Sequence, residues 1–318
     1  MPKAFRASEL TTEDMRLWNG KTVLKPVDGA SSENVSVHED IYQALAFLQM
    51  HPSWAAMKFE VEEFLEGPIL HIDGLMRKGK PLVMLASRYL GNCLAYAQGK
   101  PLGSVQLEPS KSRELFEWTT RCARAVGIKN GSFHLEAIQT KWGPVFLEIG
   151  ARVGGADVVD TFEMATGVHL PSAELAIILD DNAGVKIPKA QGMRFGWFVL
   201  PGHHLHSDYC DVNVPDSVSR SPMLVRSKQL TRNQTLTKKI TYQAHEVPFA
   251  GIVQASTTAE AEKFMTEIFS KVVARPDGRE SYRMRSLALP RTLNRHEFCI
   301  LFKKKKGYVF RDARESKD

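Results

Sequence analysis

Apolar and polar positions alternate most cleanly between Phe133 and Gly155. Phe133, Leu135 and Ala137 alternate with His134 and Glu136; beyond a turn at Lys141-Trp142-Gly143, Val145, Leu147 and Ile149 form an apolar set with Glu148 on the other side. Each half reads as one strand of a hairpin. A three-residue loop with Gly143 in the left-handed conformation sets Glu136 across from Glu148. The same alternation predicts strands over residues 22–27, 57–61, 70–77 with 82–86, 195–200, 212–214, 241–247 and 251–255, and it turns His71 and Asp73 outward from Leu70 and Ile72. Helical spacing marks residues 38–50, through Ile41, Ala44, Leu45 and Leu48, and 110–126, through Leu115, Trp118, Cys122 and Ala125, closed by Gly127. Further helices are expected over 160–165 and 170–179, and Thr257 with Glu260 forms a capping box that opens a helix reaching Val272.

The opposed glutamates carry the first chemical signal. Directly opposed strand residues have Cβ atoms roughly 4.5–5.5 Å apart. Two like charges at about 5 Å cost roughly 3 kcal/mol at an effective dielectric near 20. A divalent cation reverses the sign of that interaction, and Mg²⁺ is commonly held by one or two carboxylates together with substrate phosphates. Arg152, just past the second strand, suits a phosphate, and Gly154-Gly155 permits close backbone approach. A solvated hairpin with two acids in water would need neither addition. Upstream, Lys25 on a short strand followed by the small polar loop 28–35 offers a cation and free N–H groups to a polyphosphate, although a surface lysine beside an exposed hairpin fits the same residues.

His134-x-Glu136 followed by Leu147-Glu148-Ile149-x-x-Arg152-x-Gly154-Gly155 resembles the metal-binding end of the ATP-grasp superfamily, especially its carboxylate-amine ligases that join amino acids. The Lys25-Pro-x-x-Gly29-x-x-Ser32-x-x-Val35 segment is similar to that family's phosphate-binding strand and loop. The resemblance implies an α+β ATP-grasp fold in which two α/β lobes clasp ATP. It divides the chain into a small nucleotide-binding lobe (1–66), a larger catalytic lobe (67–190), a C-terminal β-rich subdomain (191–275) and an irregular basic tail (276–318). It implies ATP with Mg²⁺, or Mn²⁺ in its place, as cofactors. Glu136 and Glu148 are then the metal ligands, and Arg152 meets phosphate or the acyl group; apart from the resemblance, Arg88 at the end of its strand has a planar fork that suits a phosphate or a substrate carboxylate, ranking behind Arg152 and Lys25. Lys25, Gly29, Ser31 and Ser32 hold the phosphates, while residues 62–65 (Glu62, Glu63, Phe64 and Leu65) form the hinge, with backbone at Glu63 and Leu65 beside adenine and either Glu62 or Glu66 left to meet the ribose.

The implied reaction joins a small-molecule carboxylate to an amine through an acylphosphate, giving an amide or peptide bond. Two positions depart from the family pattern: Gly150 stands where many members have a metal-binding Asn, and Ile69 where a ribose-binding carboxylate is expected. The N-terminal lobe that usually precedes this fold has no counterpart before Met1, so three expectations stand: the lobe is lost, a homodimer mate or partner chain supplies it, or this start is not the natural one. A catalytically impaired ATP-binding module is the alternative function.

Composition narrows the rest. Hydrophobic residues at 43% and charged residues at 25% are ordinary for a globular protein, and no apolar run approaches the roughly 20 residues of a membrane span. The four cysteines, Cys93, Cys122, Cys210 and Cys299, have no paired spacing, which favours a reducing, cytoplasmic setting. The formal charge of +6 owes much to Lys303 through Lys306, Arg311 and Arg314. No nucleic-acid recognition signature accompanies that run, so a solvated tail is expected rather than a nucleic-acid partner. His203, His204, His206 and Cys210 lie close in sequence but match no closed zinc spacing.

Overall fold

A computed structural model describes residues 2–16, 20–29, 32–51, 58–180, 184–187 and 192–277. Two sheets frame the site. The smaller has the order β1-β4-β2-β3, with β1 Ala4–Arg6, β2 Thr22–Pro26, β3 Ser36–His38 and β4 Phe59–Glu63. Helix α1 (Ile41–Gln49) packs on it through Ile41 and Ala44 against Leu24, Phe59 and Val61. The Asp40 side chain caps α1 by accepting from Gln43 N at 2.8 Å.

The larger sheet has eight strands in the order β12-β13-β10-β7-β6-β5-β8-β9. They are β5 Ile69–Arg77, β6 Lys80–Leu90, β7 Leu102–Gln106, β8 Gly131–Thr140, β9 Gly143–Gly150, β10 Arg194–Leu200, β12 Leu224–Gln229 and β13 Phe249–Ala255. Strands from residues 194–255 thus continue the sheet begun by residues 69–150. A separate pair, β11 (Cys210–Asn213) and β14 (Val273–Pro276), lies beside it in sequence order, with the short helix α6 (Asp216–Ser219) between β11 and β12.

Both faces of the large sheet are covered, and alternate residues of one strand show which helix covers which. On β10, Phe198 and Leu200 join Phe264, Met265 and Ile268 of α7 (Thr258–Lys271), whereas Phe195, Trp197 and Val199 join Val158 and Ala165 of α4 (Val158–Thr166). Helix α3 (Pro109–Ala125) covers Leu70, Ile72 and Leu135 on the α7 side; α5 (Leu170–Leu179) meets Leu75 on the α4 side. A short helix, α2 (Cys93–Ala97), closes the sequence between β6 and β7.

Most expected elements form with ends shifted by a few residues. The capping box of α7 is complete: Thr257 Oγ1 accepts from Glu260 N at 3.2 Å, and Glu260 Oε2 accepts from Thr257 N at 3.2 Å. Residues 241–247, expected as a strand, form turns instead, with Tyr242 stacked on Tyr96 at 4.8 Å. Among the described residues, no helix is long and apolar enough to cross a membrane.

Candidate functional site

The hairpin of β8 and β9 places Glu136 opposite Glu148, but by a different route from a three-residue loop. Thr140 pairs with Gly143 across a two-residue turn, Lys141-Trp142, and Ala137 then pairs with Phe146. That register would match Glu136 with Leu147. A β-bulge at Leu147 moves the register by one, so Glu136 meets Glu148 and His134 meets Gly150. The bulge also corrects the expected facing of Leu147. Phe146 and Ile149 pack toward α3, while Leu147 and Glu148 both border the cleft between the sheets.

Glu136 is held tightly. Tyr89, on β6, donates its hydroxyl to Glu136 Oε1 at 2.7 Å, and His134 Nε2 lies 3.4 Å from the same oxygen. His134 donates Nδ1–H to Asp73 Oδ1 at 2.8 Å, and His71 donates Nδ1–H to Asp73 Oδ2 at 2.6 Å. His71 Nε2 meets the Ser104 hydroxyl at 2.6 Å. His71, Asp73 and His134 are at most 5% exposed, so the first two are not the outward-facing residues that alternation suggested. They do share one face of β5, which lies beneath the loop after β9. An ideal Cβ on Gly154 would sit 2.8 Å from Asp73 Oδ1 and 2.9 Å from His134 Nδ1. Val158 Cγ1 would be nearer still, at 2.7 Å, so Gly154 is required for packing on this pair and on α4, whereas Gly155, with nothing within 4 Å of its would-be Cβ, borders open space.

These contacts set the charges. Burial would lower the His134 imidazolium, but Asp73 first and then Glu136 outweigh it, and its pKa is pushed up to about 10. Burial would likewise raise Glu136, and the hydrogen bond and charge of His134, with the Tyr89 hydroxyl, bring it below the usual carboxylate range. Glu148 behaves oppositely. Its side chain reaches solvent, yet the surrounding cleft wall reduces its hydration, and that loss together with the charge of Glu136 raises its carboxyl. Glu148 has no hydrogen-bond partner among the described residues.

Across the cleft, Lys25 Nζ bridges Glu62 at 2.8 Å and Glu60 at 3.2 Å. Burial opposes its charge but is outweighed by Glu62 and then Glu60, so the ammonium is held above its ordinary value. Lys25 borders a cavity of about 500 Å³ together with Glu62, Glu63, Phe64 and Leu65, and Val23, Ile138 and Leu147 add apolar walls. A second cavity, of about 300 Å³, contains Glu136, Arg152, Gly155 and Gly29. Glu148 borders both.

The expected site residues separate into three groups. Lys25, Gly29, Glu62, Glu63, Phe64, Leu65, Glu136, Glu148 and Arg152 are gathered around the two cavities. Ser32 is described but borders neither cavity, and Ser31 lies outside the described residues. Arg88 is not brought to the site. Its neighbour Tyr89 faces Glu136, so strand alternation turns Arg88 to the opposite side of the sheet, where its guanidinium pairs with Glu262 of α7. Cys210 is a buried core residue, and His203 Nε2 contacts the Ala97 carbonyl at 3.0 Å, with no zinc-like grouping of these residues among those described. Tyr89, Asp73 and His71 were not singled out from the sequence, although the period-2 placement of His71 and Asp73 was legible.

No family model matches the chain. It is 32% identical over 146 residues to dapdiamide A synthase of Enterobacter agglomerans, a match covering 42% of this chain and 34% of that protein. The structure superposes on an L-amino acid ligase from Bacillus licheniformis with a TM-score of 0.63 at 18% identity, covering 87% of this chain and 68% of that one. It superposes also on the biotin carboxylase domain of the Hydrogenobacter thermophilus 2-oxoglutarate carboxylase, solved with MgADP and bicarbonate. There the TM-score is 0.58 at 13% identity, covering 86% of this chain and 63% of that one. The chain thus spans about a third of the length of the curated relative. The two-sheet cleft and its opposed carboxylates agree with these likenesses, and the chain has the ATP-grasp fold.

Proposed function

We propose that the chain is an ATP-dependent carboxylate-amine ligase that joins amino acids or closely related small molecules. The observation that carries this reading is the position of Glu148. It borders both the cavity bounded by Lys25 and the hinge and the cavity bounded by Arg152, so a nucleotide in the first would direct its phosphates toward a substrate in the second. The apolar walls and hinge of the larger cavity suit a purine ring. The names of the similar proteins, an amino acid ligase and a dapdiamide synthase, support the substrate class.

Glu136 and Glu148 offer carboxylate oxygens to a hard divalent cation, and Glu148, without a partner among the described residues and raised by lost hydration and then by the charge of Glu136, fits that demand. Mg²⁺ bound there supplies neutralisation of phosphate charge; Mn²⁺ accepts the same ligands. Lys25 would exchange its contacts with Glu60 and Glu62 for phosphate oxygens. A substrate carboxylate oxygen forms a bond to the γ-phosphorus as the bond to ADP breaks, giving an acylphosphate. The amine nitrogen then attacks the acyl carbon, the C–O bond to phosphate breaks, and the nitrogen releases a proton. Arg152 is the cation beside developing negative charge in the smaller cavity.

Screening pairs of amino acids for ATP-dependent phosphate release tests this reading. Glu148→Gln is expected to reduce release more than about 100-fold, since even residues that only support a metal ligand are worth 10–100-fold. Mg²⁺ with nucleotide should raise the melting temperature of the wild type clearly and of the variant much less. Undiminished release with equal thermal shifts would remove Glu148 from the reaction. Nucleotide binding with no release for any pair would favour the impaired module, a reading to which Gly150, without a donor side chain, lends support.

A further inference from the structure

The buried groups around Glu136 assign it a more specific part. Both of its protein contacts fall on one oxygen, Oε1, which accepts from the Tyr89 hydroxyl at 2.7 Å and lies 3.4 Å from His134 Nε2. Oε2 has no partner among the described residues. The two groups on Oε1 are themselves anchored. Tyr89 is 9% exposed and packs edge-on to Trp197 at 6.1 Å. His134 is fixed by Asp73, whose other oxygen is held by His71, which in turn meets Ser104. The chain of contacts therefore crosses four strands, β7, β5, β8 and β6, before it reaches the carboxylate.

His71, Asp73 and His134 have ligand atoms close enough together to suggest a metal centre of their own. Their separations of 2.6 and 2.8 Å are those of hydrogen bonds, and the remaining imidazole nitrogens are turned to Ser104 and Glu136. The cluster is a support, not a second ion site.

We propose that Tyr89 is a positioning residue for the divalent cation: with His134 it occupies Oε1 of Glu136, so that Glu136 meets the ion through Oε2 alone and in a fixed orientation. This rests on the reading of Glu136 and Glu148 as the cation's ligands. A carboxylate free to rotate can bind with either oxygen or both, whereas a fixed single-oxygen ligand leaves more of the coordination sphere to phosphate and water, the arrangement that Mg²⁺ favours.

Mn²⁺ titration followed by electron paramagnetic resonance, with a non-hydrolysable ATP analogue present, separates the two ideas in the 318-residue chain. Tyr89→Phe is expected to weaken Mn²⁺ affinity about tenfold and to leave analogue binding without metal unchanged. Its phosphate release should return to the wild-type rate at saturating Mg²⁺. Glu136→Gln should lose far more affinity. Wild-type Mn²⁺ affinity in Tyr89→Phe, with loss in Glu136→Gln, overturns the positioning role and leaves the cation site standing. Wild-type affinity in Glu136→Gln overturns both. A rate in Tyr89→Phe that excess Mg²⁺ does not restore also overturns the proposal, since a defect of packing does not respond to metal. If Tyr89→Phe loses the wild-type near-ultraviolet circular dichroism, Asp73→Asn takes its place. That variant weakens the His134 anchor and is expected to shift Mn²⁺ affinity in the same direction; unchanged affinity there counts against the proposal.

Discussion

The two sides of the cleft hold their charges in different ways. On the small sheet, Lys25 sits between Glu60 and Glu62 with 21% of its side chain exposed, held only by its two ion pairs, one to a buried acid and one to a half-buried acid. On the large sheet, Glu136 is fixed by Tyr89 and by a fully enclosed series of imidazole and carboxylate groups. The small-sheet arrangement is one that a polyphosphate can replace contact for contact. The large-sheet arrangement has its geometry built before anything binds, which is how low-dielectric surroundings are used to preorganise charge. On the proposed reading, exchangeable contacts suit a nucleotide that must enter and leave, and fixed ones suit a place where phosphoryl transfer demands orientation.

Breaking the exchangeable side should show most in binding. Lys25→Ala is expected to weaken ATP affinity roughly 10–100-fold, the worth of a charge-assisted contact of about 1.5–3 kcal/mol. It should also lower the melting temperature of the free protein, because Glu62 loses its partner. Calorimetry decides the first point, and equal affinity in the two proteins would exclude Lys25 from the phosphate site.

Breaking the fixed side should show in stability and metal together. Gly154→Ala drives a methyl group against Val158, Asp73 and His134 and is expected to cost about 1–3 kcal/mol, the usual range for overpacking. At roughly 2–4 °C per kcal/mol, that is a readily measured melting shift. Gly155→Ala, with open space around the new carbon, should shift the melt far less. Similar losses at both positions would mean that the loop, not the buried pair, is sensitive.

A gentler probe is pH. His134 has a folded pKa of about 10 against an ordinary value of 6.5, so its stabilising proton is fully bound in both states below about pH 6.5. Between there and pH 10 only the folded state retains it. Stability is therefore expected to fall as pH rises through this window, by at most about 1.4 kcal/mol per unit. Lys25 and Tyr89, both raised, extend the same trend to higher pH. Urea midpoints at pH 6.5, 8 and 9.5 measure it, and a slope unaltered by His134→Gln would show that other groups control the profile.

The sequence made the hairpin and the carboxylate pair legible because each depends on local period and spacing, whereas the role of residues 62–65 came only from resemblance. What it concealed depends on packing across the sheet. β7 reads poorly as a strand because of Gly103 and Ser104, but Met265 and Phe269 of α7 would lie 2.4 and 3.0 Å from a Cβ on Gly103, and Ser104 is needed by His71. β12, at the sheet edge and mostly exposed, has too few apolar residues to announce itself. Arg88 looked like a site residue because arginine suits phosphate; only the facing of Tyr89 shows that it points the other way. His71 and Asp73 alternate as expected, yet polarity alone suggested solvent where the structure has a closed network.

The bulge at Leu147 has a consequence for how such hairpins can vary in length. A two-residue turn with a bulge and a three-residue turn without one bring the same two glutamates face to face, because each contributes one extra residue to the path between them. An insertion after Trp142 accompanied by deletion of Leu147 should therefore preserve the carboxylate pair, while either change alone moves Glu148 out of register with Glu136. The paired change would still alter the cleft, since Leu147 supplies part of the apolar wall of the larger cavity. Turn length and bulge are thus compensating coordinates for the opposed carboxylates, while the apolar wall of the larger cavity distinguishes between them.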